Sequence, residues 1–240
     1  MANRCETCAV RHRSLCGALE QKEVERLSQI SRRTTIPAGK AIVAEGDKAV
    51  FVANILSGTV KLTRSLEDGR RQIVGLQFPS DFLGRPFRTH WSVQAEAVSE
   101  VELCQFDRKQ FEQMITDFPT LEQRLLARVL DELDRIREWL FIVGRKTAAE
   151  RVASLLVMIA DREHDAGCGS SLHETVVFDL PISRSEMADC LGLTIETVSR
   201  QMSQLTAQGA IDLRNSRSVH IPDLQRLRRI GGLAVDPAAI

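Results

Sequence analysis

Thr194-Ile195-Glu196-Thr197-Val198-Ser199-Arg200, directly after the turn Leu191-Gly192-Leu193, divides a helix into two unlike faces. At roughly 100° per residue, Glu196, Ser199, Arg200 and Ser203 share one stripe. Ile195, Val198, Met202 and Leu205 share the opposite one, so the helix packs by an apolar side and presents a carboxylate, hydroxyls and a guanidinium on the other. Those groups suit a DNA major groove. Arg pairs with guanine O6 and N7, Glu accepts from cytosine N4, and Ser bonds to bases or to phosphate.

The flanking residues extend the motif. Ser183-Arg184-Ser185-Glu186 has capping-box spacing at the start of a first helix carrying Met187, Ala188 and Leu191. Gly192 then supplies a tight turn. Two short helices joined in this way describe a helix-turn-helix whose second helix enters the groove, although a plain helical hairpin with a solvated face shares the pattern. Ala210 to Arg214 and Ser218 to Ile221 alternate like two short strands about a turn at Asn215-Ser216, the wing of a winged helix. From Thr147 onward nine arginines and no lysine stand against twelve acidic residues, so bulk charge does not announce a nucleic-acid partner. Placement does: Arg184, Arg200, Arg214 and Arg217 fall within the reading unit, where a few phosphate contacts suffice.

Upstream lies a second unit. At 240 residues with a formal net charge of zero, the chain has room for two domains. No apolar run of membrane-spanning length and no secretory leader is seen, which predicts a cytoplasmic protein. Val24, Leu27 and Ile30 mark an amphipathic helix over about 21 to 29. Short β-branched segments follow around 33–36, 40–44, 51–63, 70–78, 92–97 and 101–106, divided by turn formers such as Glu45-Gly46-Asp47, Ser57-Gly58 and Asp68-Gly69. Such closely spaced strands predict an antiparallel roll. Asp107 opens a short helix through Ile115, and Pro119 suits the first turn of a long one. In the long helix Leu121, Leu125, Val129, Leu133, Ile136, Leu140 and Val143 recur at spacings of four and three, like a coiled-coil seam. Further apolar residues at Leu126, Leu130, Trp139 and Phe141 predict a helix that covers the roll with one side and meets a second copy with the other, as a parallel homodimer. Thr147 to Ala160 reads as a helix and Glu163 to Glu174 as a polar loop.

Six cysteines in a reducing compartment point to metal rather than to disulfides. Cys5, Cys8 and Cys16 form C-x2-C-x7-C on an N-terminal arm with little core of its own, and Cys104 lies far downstream at the end of the roll. The C-x2-C pair can grip one metal centre from a single turn. Soft sulfur selects zinc or an iron-sulfur cluster, and four thiolates serve either. Cys168 and Cys190 lack partners at ligand spacing, Cys190 being read as a small buried apolar residue and His12 as solvated. There is no nucleophile elbow, phosphate loop or HExxH pair, which argues against an enzyme.

Taken together, an α+β chain with a roll, a long dimerisation helix and a winged helix-turn-helix resembles the CRP/FNR superfamily of bacterial transcription regulators over nearly its whole length. The E-x2-S-R pattern of Glu196, Ser199 and Arg200 and the N-terminal cysteine cluster resemble its FNR branch, with a Cys8-x7-Cys16 spacing like that of alphaproteobacterial relatives. The resemblance implies a cysteine arm over 1–20, a roll over 21–116, a dimerisation helix over 117–146 and a DNA-binding domain over 147–240. It further implies a [4Fe-4S] cluster on Cys5, Cys8, Cys16 and Cys104 that senses oxygen, and double-stranded DNA bearing TTGAT half-sites in an inverted repeat as the partner of Glu196, Ser199 and Arg200. It also implies contact with RNA polymerase through surface loops such as Leu66 to Arg71. Relatives that bind cyclic nucleotides use a Gly-Glu pair followed by Arg-Ser or Arg-Thr. Here Arg85 follows Gly84 and no arginine precedes Ser92, which predicts that this ligand is not taken.

Overall fold

Short β-branched runs broken by glycine turns fold into antiparallel sheets because each run has one side worth burying. The computed structural model describes Cys5 and residues 7–166, 175–215 and 217–233, and separates into two units, 1–134 and 135–240.

In the first unit two 3-10 turns, Arg11–Arg13 and Leu15–Ala18, lead into α1 (Gln21–Gln29), where the Glu23 carboxylate accepts the Glu20 backbone N–H at 2.8 Å. Eight strands follow: β1 (Ser31–Ile36), β2 (Ala41–Val43), β3 (Phe51–Ser57), β4 (Val60–Ser65), β5 (Arg71–Gln77), β6 (Phe82–Leu83), β7 (Gln94–Ala97) and β8 (Val101–Asp107). Then come α2 (Arg108–Asp117) and α3 (Pro119–Arg145). One sheet has the order β1-β8-β3-β6 and the other β2-β7-β4-β5, as expected of a roll. The predicted segment 51–63 divides at Gly58, whose φ of +81° and missing side chain are both needed, since a Cβ there would stand 2.1 Å from the Glu100 carbonyl oxygen.

The first sheet buries both faces. Ala53, Ile55, Leu83, Val101 and Leu103 point towards the second sheet and form the inner core with Val60, Ala95 and Ala97. On the other face Val52 and Phe106 pack with Leu15, Leu19, Val24, Leu27, Phe111 and Leu121. The arm, expected to have little core of its own, is packed into a shared one. Leu15 and Leu19 are buried because the outer face of β3 and β8 is apolar and has to be covered.

The long helix divides its apolar residues differently from a single seam. Leu121 is buried and Leu125 packs against the arm-side core, whereas Leu126, Val129, Leu130, Leu133, Ile136, Leu140 and Phe141 are exposed. Val143 and Trp139 are half-buried. No helix among the described residues is long and apolar enough to cross a membrane.

The second unit comprises α4 (Ala148–Ala166), β9 (Val176–Asp179), α5 (Arg184–Leu191), α6 (Ile195–Ala207), β10 (Asp212–Leu213), β11 (Ser218–Ile221) and α7 (Leu224–Ile230). The helix expected to end at Ala160 runs to Ala166, because polar residues fit an exposed helix as well as a loop. Cys168, read above as a non-ligand, and the rest of the expected loop over 167–174 lie outside the described residues, as does Ser216 of the wing turn. The wing is a three-stranded sheet, β10-β11-β9, in which Val219 pairs with Phe178. Four residues of β9 are too few to show their alternation, so this strand is visible only once β11 lies beside it.

Candidate metal centre and nucleic-acid interface

Strand register builds the cysteine site. Cys104 pairs across β1 with Arg33 and across β3 with Asn54, and directly opposed residues of antiparallel strands project to the same face. Val101 and Leu103 look into the inner core, so Cys104 belongs with Phe106 to the arm-covered face. The first 3-10 turn hangs from Cys8, whose carbonyl accepts the Arg11 N–H at 3.1 Å, and the second one contains Cys16. These turns bring the arm's thiols onto the sheet. Cys5, Cys8 and Cys104 line one cleft of about 270 Å³ with Ser31, Arg32 and Arg33. Cys16 packs against the same core as Cys5 and Cys104, and its Sγ accepts a hydrogen bond from Asn54 Nδ2 at 3.3 Å.

The four sulfurs feel one another. Burial pushes the Cys104 thiol up to about 12, with further increments from Cys16, Cys5 and Cys8 and a small lowering by Ser31. Burial likewise raises Cys16 to about 11, reinforced by Cys5 and Cys8 and opposed by hydrogen bonds with Ser14 and Asn54. Cys5 is raised by burial and by Cys8, while Arg33 and Arg11 pull it down. Among the described residues no three His, Cys, Asp or Glu side chains are drawn together as around a single bound ion. Thiols without a cation stay protonated, and metal binding has to displace those protons. The donor set nevertheless suits an iron-sulfur cluster: four soft sulfurs at one sheltered place, with Arg11 and Arg33 near enough to offset negative charge. Cys190, as expected, is buried inside α5.

The pairing signal that places Asn54, Arg33 and Ser31 beside these cysteines is absent from the linear sequence. Their neighbours lie some tens of residues away and meet them only through sheet register. Alternation in Val101-Glu102-Leu103-Cys104-Gln105-Phe106 did carry part of it, since it separates Cys104 from the inner-core positions.

The groove-reading unit follows its local chemistry closely. Ser183 Oγ accepts the Glu186 N–H at 3.3 Å while the Glu186 carboxylate accepts the Ser183 N–H at 2.8 Å. Gly192 closes α5 with φ +62°, and Thr194 Oγ1 accepts the Thr197 N–H at 3.2 Å to open α6. Arg151 ties the turn to α4 by donating to the Leu191 carbonyl at 3.0 Å, and Arg226 donates to the Gln208 carbonyl at 2.7 Å just past the C-terminal end of α6. Val198, Met202 and Leu205 are buried, while Glu196, Ser199, Arg200 and Ser203 are exposed on the other side. Ile195 departs from the expected apolar face: it is 47 % exposed, because the first turn of α6 projects beyond the packed core. Backbone and Thr194 hydrogen bonds hold the Glu196 carboxyl below its ordinary range, so it is a charged acceptor. Arg214 and Arg217 are exposed on the wing, whereas Arg184 is half-buried with its guanidinium 3.4 Å from Met187 Sδ.

Comparison with known proteins matches residues 150–230 to a Crp-like helix-turn-helix domain and residues 33–118 to a cyclic nucleotide-binding domain. The chain is 45 % identical to the transcriptional activator protein FnrL of Cereibacter sphaeroides, over 96 % of this chain and 92 % of that one. It is 37 % identical to the nitrogen fixation regulation protein FixK of Bradyrhizobium diazoefficiens, over 86 % of this chain and 85 % of the relative. The solved structure of FixK2 from Bradyrhizobium japonicum superposes with a TM-score of 0.75 at 30 % identity, covering 86 % of this chain and all of that one. Within the matched cyclic nucleotide-binding domain, Arg85 and Ser92 are both exposed.

Proposed function

Since the chain belongs to the CRP/FNR family of transcription regulators and is a transcriptional activator rather than an enzyme, we propose that it is an oxygen-responsive homodimer acting in the cytoplasm. In this reading Cys5, Cys8, Cys16 and Cys104 hold a [4Fe-4S] cluster, and Glu196, Ser199 and Arg200 read TTGAT-type inverted repeats. The cleft that Cys5 and Cys8 of the arm line with Cys104 of the strand, with Cys16 near enough to raise the Cys104 thiol, carries the proposal. When bound, the cluster supplies a redox-labile group that oxygen oxidises and dismantles.

The chain's own residues supply the rest of the switch. Leu15 and Leu19 of the arm share a core with Leu121 and Leu125, the opening turns of α3. Fixing the arm by its cysteines therefore steadies the start of the helix whose next turns bear the exposed Leu126, Val129, Leu133, Ile136 and Leu140. A second copy is the natural cover for a stripe of that spacing, giving a parallel pair. A differential of about 5.5 kcal/mol between two states moves a population from 1:99 to 99:1. On DNA, two copies of α6 then enter successive major grooves about one helical turn apart. Surface loops such as Leu66 to Arg71, where Leu66 is exposed, are proposed to touch RNA polymerase.

Protein purified without air is expected to contain iron and acid-labile sulfide, to be dimeric, and to bind a TTGAT palindrome far more tightly than the same protein after air exposure. A colourless zinc protein with equal operator affinity in both conditions overturns the sensing claim.

A further inference from the structure

We propose that Asn54 is a positioning residue of the cysteine centre, its side-chain amide orienting the Cys16 sulfur and donating a hydrogen bond to the thiolate when metal is bound. The inference rests on the four cysteines acting as one ligand set. Asn54 is 2 % exposed, lies in β3 between Ala53 and Ile55, and stands across from Cys104 in the register with β8. Its Nδ2 donates to Cys16 Sγ at 3.3 Å. One side chain thus touches the arm's third cysteine and neighbours the cysteine of the roll, the two halves that a shared metal centre has to join.

Packing alone does not account for an amide at this place. Asn54 sits on the sheet face that carries Val52, Phe82 and Phe106, where an apolar residue of similar size would incur no desolvation cost. Its Oδ1 is buried with no partner among the described residues, a second cost that a core position ordinarily avoids. The remaining bond, from Nδ2 to sulfur, is what the asparagine adds. Ser14 also lies against Cys16 and lowers its thiol, but its Oγ donates to the Arg11 carbonyl at 3.1 Å as well, so its single proton is shared. Among the described residues Asn54 Nδ2 donates to no other group. Donors to a ligand sulfur stabilise its charged form and fix its direction, and loss of such an outer partner typically weakens metal affinity by about 10- to 100-fold.

The test titrates Co2+ into the metal-free, full-length protein without air and follows thiolate-to-cobalt absorption. Asn54→Leu is expected to bind Co2+ about 10- to 100-fold more weakly, with charge-transfer intensity falling toward that of Cys16→Ser, while the metal-free protein unfolds at or above the wild-type temperature. Asn54→Asp keeps the shape and removes the donor, so it is expected to weaken binding too and serves if the leucine variant does not fold. In a Cys16→Ser background Asn54→Leu is expected to change nothing further. Unchanged affinity in both Asn54 variants, or an equal loss with and without Cys16, overturns the proposal. Wild-type protein that binds Co2+ but never assembles iron and sulfide refutes the cluster and leaves the role of Asn54 standing. No thiolate-to-cobalt absorption in the wild type refutes both.

Discussion

Arg200 leaves α6 on the same exposed side as Glu196 and Ser199, with its guanidinium available to a base edge. Arg200→Ala is expected to cost about 1 to 3 kcal/mol of operator affinity and to relax preference at one guanine. Equal weakening on all sequences, measured by competition with mutated half-sites, would make it a phosphate contact instead. Cys104→Ser tests the other site at the same scale. The residue lies among buried neighbours and differs from serine by one atom, so the chain is expected to keep its far-ultraviolet circular dichroism while losing its iron and sulfide. Full iron content in that variant would remove Cys104 from the ligand set.

Elements carry their own predictions, because helix ends and faces act as units. Thr194 opens α6 by accepting the Thr197 N–H, so Thr194→Ala is expected to lower stability by about 1 kcal/mol. A thermal scan showing no loss would mean that another group satisfies that end. In α3, Leu133 is 39 % exposed and Ile136 is 52 % exposed, on the outward stripe rather than in the core with Leu121. Ile136→Glu is therefore expected to yield a folded monomer by sedimentation and to abolish tight operator binding. A dimer that survives the change would show that the stripe is not the interface. The heptad spacing of this helix was legible in the sequence. Its division was not: Leu121 and Leu125 join the arm-side core and the later turns face outward, a choice that depends on where the sheet ends rather than on the helix itself.

At the scale of the whole molecule the arm and the long helix answer to a common core. Leu15 is 2 % exposed and packs with Val24, Phe106, Phe111 and Leu121, so Leu15→Ala is expected to cost about 2 to 5 kcal/mol and to leave a cavity under the arm. Although it removes no cysteine, it is expected to lower iron retention in air and dimer stability together. Normal iron and weakened dimer, or the reverse, would uncouple the two. The capping box at Ser183, the turn at Gly192, the polar and apolar sides of α6 and the roll's strands other than β6 were legible in the chain itself, because these depend on residues within a turn or a few positions of one another. Long-range packing alone settled that the cysteine arm shares the roll's outer core, that Ile195 is exposed, that β9 completes the wing and that Asn54 meets Cys16. Each of those depends on which distant surface needs covering, and local periodicity carries no information about that surface.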